Sequence, residues 1–249
     1  MSFQNLVIIL LSGVLPTLFW LWFWRREDRL HPEPRRLVAI ACLAGAAAVP
    51  FAIILEKIIL ILIIGEKNYS VLTIATQTPW LAIILVTLWA TIEEIVKFIA
   101  AYTSVLTRPS VDEPIDPVIY LISAALGFAA TENVLFLLNT LLKDELVTTI
   151  LITGNLRFIG AILLHATSSG IIGISLGLSF YKPVKIRRRL IFVGVILSLL
   201  LHSLFNLLII FKNNFGVFSA FLLVWLSVII LLAVLEMVKQ IKPKQLINK

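Results

Sequence analysis

The chain has 249 residues and a single cysteine, Cys42, so it can form no internal disulfide, and redox chemistry is not expected. A lone cysteine in an apolar stretch behaves as a small hydrophobe. Charge is also scarce: Asp, Glu, Lys and Arg make up 14% of the residues, against about 25% in an ordinary soluble domain. With 60% hydrophobic residues, this balance excludes a soluble globular protein. His-Glu-x-x-His and Gly-x-Gly-x-x-Gly are absent, which argues against zincin-like sites and nucleotide enzymes. No repeat, low-complexity tract or sizeable polar appendage breaks the pattern.

What remains is a series of apolar runs, each near the roughly 20 residues that cross a bilayer as a helix. Seven are legible: Phe3 to Trp24, Leu37 to Ile64, Trp80 to Val105, Val118 to Leu142, Leu156 to Tyr181, Leu190 to Phe211 and Phe215 to Met237. Membrane β-barrels show short alternating segments instead, so these runs are helices that satisfy their own backbone hydrogen bonds in lipid. The expected fold is all-α: one polytopic membrane helix bundle of about seven transmembrane helices, forming one domain over residues 1–249. The first run has no basic leader or small-residue cleavage site and reads as a retained span.

The net charge of +7 is explained by where the cations lie. Of the 21 Lys and Arg residues, 15 fall on one set of alternate loops, including Arg25, Arg26, Arg108, Arg187 to Arg189 and Lys239. By the positive-inside rule that set is cytoplasmic, which places the N-terminus outside and the C-terminus in the cytoplasm. The basic balance is membrane topology, and no nucleic acid partner is expected. Two connections, Arg29 to Arg35 and Asp112 to Pro117, mix acids with paired prolines and read as stiff, non-helical turns.

An ionisable side chain at the centre of a span costs about 2.5–3.5 kcal/mol on insertion scales, so each needs a partner or a function. The third span carries Glu93, Glu94 and Lys97, with Lys97 within helical reach of either carboxylate. The fourth carries Glu132 and Asn133, the fifth Arg157, His165, Ser168 and Ser169 on one stripe, and the sixth His202 and Asn206 one turn apart. At 1.5 Å per residue these acids and imidazoles reach similar depth near the midplane, which points to one shared site. Ser169, Gly173 and Gly177, with Gly127 near Glu132, allow close helix approach beside it. Glu56 and Lys57 read as structural residues near the outer end of a long span.

Carboxylates and imidazoles at one depth can activate water in two ways. In one, Glu132, His165 and His202 hold a divalent metal such as zinc and Glu93 or Glu94 is the base. In the other, a glutamate alone polarises the water while a histidine and an asparagine steady the oxyanion. Asn133 and Asn206 suit the oxyanion or an orienting role, and Lys97 would keep one glutamate ionised.

These residues, in this order and spacing across four spans, resemble the PrsW-type intramembrane proteases, a family similar to the CAAX prenyl endopeptidases and bacteriocin-processing proteins. The resemblance rests on the acidic, proline-rich segment from Arg29 to Arg36, Glu93-Glu94-x-x-Lys97, the Asp112 to Pro117 loop, Gly127-Phe128-x-x-x-Glu132-Asn133, His165 with Ser169, and His202 with Asn206. It implies an endopeptidase that cleaves membrane-anchored proteins in a bacterial or archaeal plasma membrane, the family role being the first cut of an anti-sigma factor. It also implies that Glu93 and Glu94 activate the water while Glu132, His165 and His202 complete the site. The prenyl endopeptidases carry a histidine where this chain has Glu132 and an arginine one residue beyond the position of Lys97, so the CAAX reaction itself is disfavoured. The competing reading is a proton-coupled transporter or channel using the same Glu/His cluster as a relay.

Overall fold

The computed structural model describes residues 3–27, 32–65, 71–142, 147–211 and 214–242, and the side chains of 3–5, 71–72, 147–159 and 214–215 are outside the description. The described residues form helices α1 (Phe3–Glu27), α2 (Arg35–Ile64), α3 (Val71–Gln77), α4 (Pro79–Ala101), α5 (Asp116–Leu141), α6 (Val147–Leu178), α7 (Val184–Ile210) and α8 (Asn214–Lys239). All seven expected spans are present as helices, and six are long and apolar enough to cross a membrane by length and composition. The remaining long helix, α4, carries Glu93, Glu94 and Lys97. The short α3 is an addition, lying where the sequence reading left a loop.

Local chemistry sets the helix ends. Gly65 closes α2 with a left-handed backbone (φ 78°) and donates its N–H to the Ile61 carbonyl at 2.8 Å. Pro79 opens α4, while Pro34 and Pro183 stand just before α2 and α7, where a missing N–H costs nothing. Helix α4 runs on into a π-helical turn, Tyr102–Leu106.

The architecture is organised around α5, whose residues Asp116 to Ala129 are buried without interruption. A helix apolar on all sides must be surrounded, and α1, α2, α4 and α6 all pack on this one. The approach of α2 depends on two glycines facing in opposite directions. A Cβ on Gly45 would strike the Ala124 carbonyl of α5, and one on Gly127 of α5 would strike the Cys42 carbonyl of α2. The stripe expected from Gly173 and Gly177 works the same way, with Gly173 against the Val118 backbone and Gly177 against the Pro114 carbonyl. The bundle exterior is apolar, with Phe19, Trp22, Leu43, Phe51, Phe192, Phe218 and Ile230 all exposed, as a protein solvated by lipid requires.

The two proline-rich connections meet at the start of α5. Glu33 is buried and accepts a hydrogen bond from the Tyr120 hydroxyl. The Asp116 carboxylate accepts the backbone N–H groups of Asp112 and Glu113 at 2.8 and 2.7 Å. The expected non-helical connection therefore ends earlier than Pro117, because Asp116 caps the turn before it and both residues belong to α5. Residues 28–31 of the other connection, Arg29 among them, lie outside the described residues.

Gly127→Val should drive α2 from α5 and leave no folded monomer on fluorescence-detected gel filtration. Gly65→Ala, which meets nothing within 4 Å, should cost only about 1 kcal/mol and still elute as folded protein. Normal elution of Gly127→Val would contradict this account of the α2–α5 contact.

Candidate active site

Four helices place polar side chains at one level of the bundle: Glu93, Glu94 and Lys97 from α4, Glu132 from α5, His165, Ser168 and Ser169 from α6, and His202 from α7. Glu94 and Lys97 are three residues apart and share a helix flank, whereas Glu93 turns about 100° away from Glu94. His165, Ser168 and Ser169, at spacings of three and four, likewise share one face of α6.

Glu94 is the most heavily bonded of these groups. Its Oε1 accepts from Lys97 Nζ at 2.5 Å, Ser168 Oγ at 2.8 Å and His202 Nδ1 at 2.7 Å, and its Oε2 accepts from Ser169 Oγ at 2.9 Å. Three helices thus converge on one carboxylate. The Glu94 and Lys97 side chains are 2% and 0% exposed, a degree of burial that ions tolerate only when paired and fully hydrogen-bonded. The Lys97 ammonium also reaches His165 Nδ1 at 2.9 Å and lies 5.2 Å from the Phe128 ring centre, a cation–π contact.

These partners assign the imidazole tautomers. An ammonium can only donate, so His165 Nδ1 accepts, and its Nε2 carries the proton that goes to Glu132 Oε2 at 2.8 Å. The Glu94 carboxylate can only accept, so His202 Nδ1 carries the proton and Nε2 of the neutral ring presents a lone pair. That nitrogen lies 3.5 Å from Glu93 Oε2, which is buried and has no hydrogen-bond partner. Two acceptors face each other in a setting where leaving one unsatisfied costs about 1–3 kcal/mol. Such a pair accepts hydrogen bonds from a water molecule or holds a cation.

The structure therefore separates two adjacent glutamates that spacing alone left equivalent. Ligand atoms of Glu93, His165 and His202 all lie within 4.8 Å of one another. Glu132, which the sequence reading grouped with the two histidines, is 35% exposed and reaches the cluster through its bond to His165. Asn133 is buried, and its Nδ2 has no partner. Asn206 is half-buried, and among the described residues no hydrogen bond joins it to the cluster. The side chain of Arg157 lies outside the described residues.

Two features were not assigned from the sequence. Ser168 and Ser169 were legible as neighbours of His165 on one face, but not as partners of Glu94. Glu56, read as structural, continues the seam of α2 that buries Ala48, Ala52 and Leu60 at four-residue intervals. It is half-buried. The four-residue spacing was the available signal.

The chain matches the family described as PrsW family intramembrane metalloprotease over residues 33–235, which takes in every residue of this cluster. It is 31% identical over 127 residues to Protease PrsW of Geobacillus kaustophilus (strain HTA426), covering 51% of this chain and 52% of that protein. It is 25% identical over 210 residues to Protease PrsW of Clostridioides difficile (strain 630), covering 84% of this chain and 82% of that protein. The first match thus spans about half the length of that relative, and the second most of it. No solved structure matches the chain. With a four-helix Glu/His cluster lying wholly inside the matched region, the chain belongs to the PrsW family of intramembrane metalloproteases.

Proposed function

We propose that this protein is an intramembrane endopeptidase that hydrolyses a peptide bond in a membrane-anchored protein, with Glu93 as the group that activates water. The observation that carries this reading is the buried Glu93 Oε2 without a hydrogen-bond partner, turned toward His202 Nε2 at 3.5 Å. A water molecule donating one hydrogen to each acceptor would have its own lone pair free to attack a carbonyl carbon. Glu93 takes the proton as attack proceeds and returns it to the departing amine, the usual double duty of a general base. Glu94 stays a carboxylate throughout, because four donors hold it. Asn133, whose Nδ2 has a donor to spare, and Asn206, one turn beyond His202, are the groups we assign to the developing oxyanion.

The donor set also fits a divalent ion. Glu93, His165 and His202 would supply two nitrogens and an oxygen, the three-ligand pattern of catalytic zinc. His165 would have to exchange its bond to Lys97 or to Glu132 for the ion, since both of its nitrogens are engaged. When bound, such an ion supplies Lewis acidity to a water molecule at the same place. Glu132 then acts through His165, a role that differs from the direct ligation expected from sequence.

We propose an anti-sigma factor as substrate and a bacterial or archaeal plasma membrane as the site of action, on the strength of the family resemblance; the relatives' name, Protease PrsW, supports a protein substrate. The relay reading gains nothing comparable, because neither the facing acceptors nor the family match speaks for transport.

Glu93→Gln should lower cleavage of a single-span membrane substrate by about 100- to 10,000-fold while the protein still folds, as read by gel-shift of the product. Undiminished cleavage would contradict the assignment. Titration with Zn²⁺ alone should show affinity at least about tenfold weaker in Glu93→Ala and His202→Ala than in the wild type or Ser227→Ala, by calorimetry. Equal affinity in all four would remove these residues as ligands.

A further inference from the structure

Most hydroxyls inside these helices bond to their own helix. Thr87, Thr91, Ser123, Thr131, Thr140, Thr167, Ser175 and Ser227 each donate to the carbonyl four residues earlier, the normal outlet for a hydroxyl in an apolar span. Ser168 and Ser169 depart from this habit. Ser168 Oγ is 2.8 Å from Glu94 Oε1, nearer than the His165 carbonyl at 3.2 Å, and Ser169 Oγ donates to Glu94 Oε2 at 2.9 Å. Both serines are buried, with 0% and 1% exposure, so no water competes for their protons.

We infer that Ser168 and Ser169 are positioning residues of the proposed reaction, acting through Glu94 to fix the tautomer and orientation of His202. Three donors crowd onto Oε1: a lysine, a serine and the His202 ring. Ser169 alone serves Oε2, so it sets the rotation of the carboxylate about its own axis. With that rotation fixed, Oε1 meets the Nδ1–H of His202, and Nε2 is left bare toward Glu93. Without the serines, Lys97 still neutralises Glu94 at Oε1, but no donor holds Oε2, so the carboxylate can turn out of line with Nδ1 and the ring can take its proton on Nε2. A protonated Nε2 donates to Glu93 Oε2 and occupies both atoms meant for water. Partners of this kind usually matter by 10- to 100-fold in affinity or activity.

The inference rests on the endopeptidase reading for its catalytic meaning, but its physical content can be tested without a substrate. The sequence has three histidines, so protein labelled with ¹⁵N at histidine gives few imidazole signals to assign, and His202→Gln identifies one set. In detergent-solubilised protein, Ser168→Ala, Ser169→Ala and the double variant should move His202 from Nδ1–H toward Nε2–H, most in the double variant. Ser175→Ala and Ser227→Ala, whose hydroxyls bond their own helix, should leave it unchanged. The same serine variants should lose about tenfold in kcat each, with KM unchanged, on a cleaved single-span substrate. A wild-type His202 tautomer in the double variant overturns the inference, as does a changed tautomer with undiminished kcat. Failure of the endopeptidase reading would show separately, as no cleavage of single-span substrates by the wild type while the His202 tautomer still responds to the serine variants.

Discussion

A lysine ammonium and a glutamate carboxylate, both essentially sealed from solvent inside an apolar bundle, set the terms for everything around them. Each ion taken from water alone costs several kcal/mol, and attraction between them repays this only with good geometry and further hydrogen bonds. Lys97 and Glu94 meet that condition by drawing in His165, His202, Ser168 and Ser169. Because a lysine can only donate and a carboxylate can only accept, the pair, with its carboxylate oriented by Ser168 and Ser169, decides where each imidazole keeps its proton. The bare nitrogen of His202 and the unsatisfied oxygen of Glu93 follow from that choice. The pair is thus the fixed reference against which a reactive group can be poised.

The fold serves this cluster by making close contact where it is needed. Glycines at 45 and 127 let α2 and α5 touch backbone to backbone, and Gly173 does the same between α6 and the start of α5. Along α5 the seam then passes from Phe128, which lies under Lys97, to Glu132 one turn further on, which holds His165. Along α2 it passes from Ala52 to Glu56. Small residues bring the helices together just below the polar level, and carboxylates occupy the level itself. Hydrolysis within lipid needs both parts: a tightly closed base to hold the ions, and a more open upper side, where Glu132 is 35% exposed.

Much of this was legible in the sequence, for reasons that also explain what was not. Apolar runs of bilayer length and the one-sided cations gave the spans, because the cost of leaving backbone unsatisfied in lipid admits few alternatives. Depth followed from counting residues, so the gathering of Glu93, Glu94, Glu132, His165 and His202 could be expected. Spacing along one helix, however, says which residues share a face and nothing about the rotation of the neighbouring helices. The unequal roles of Glu93 and Glu94 therefore lay beyond it, as did the aim of Ser168 and Ser169 and the indirect place of Glu132. Glu56 stands on the seam of α2 at four-residue spacing from Ala52 and Leu60, a place that its adjacent lysine does not reveal. The short α3 has too few residues for any periodic signal.

The central claim is that two neighbouring glutamates have been given different duties, one holding the structure and one left open. It is tested most directly by comparing the thermal unfolding midpoints of Glu93→Gln and Glu94→Gln in detergent. Removing Glu94's charge leaves Lys97 buried without its counter-ion, which costs about 3–5 kcal/mol and should lower the midpoint by about 10 °C. Glu93→Gln, whose oxygen has no partner to lose, should unfold at or above the wild-type temperature. Equal destabilisation by the two substitutions, or a larger loss from Glu93→Gln, would contradict the account.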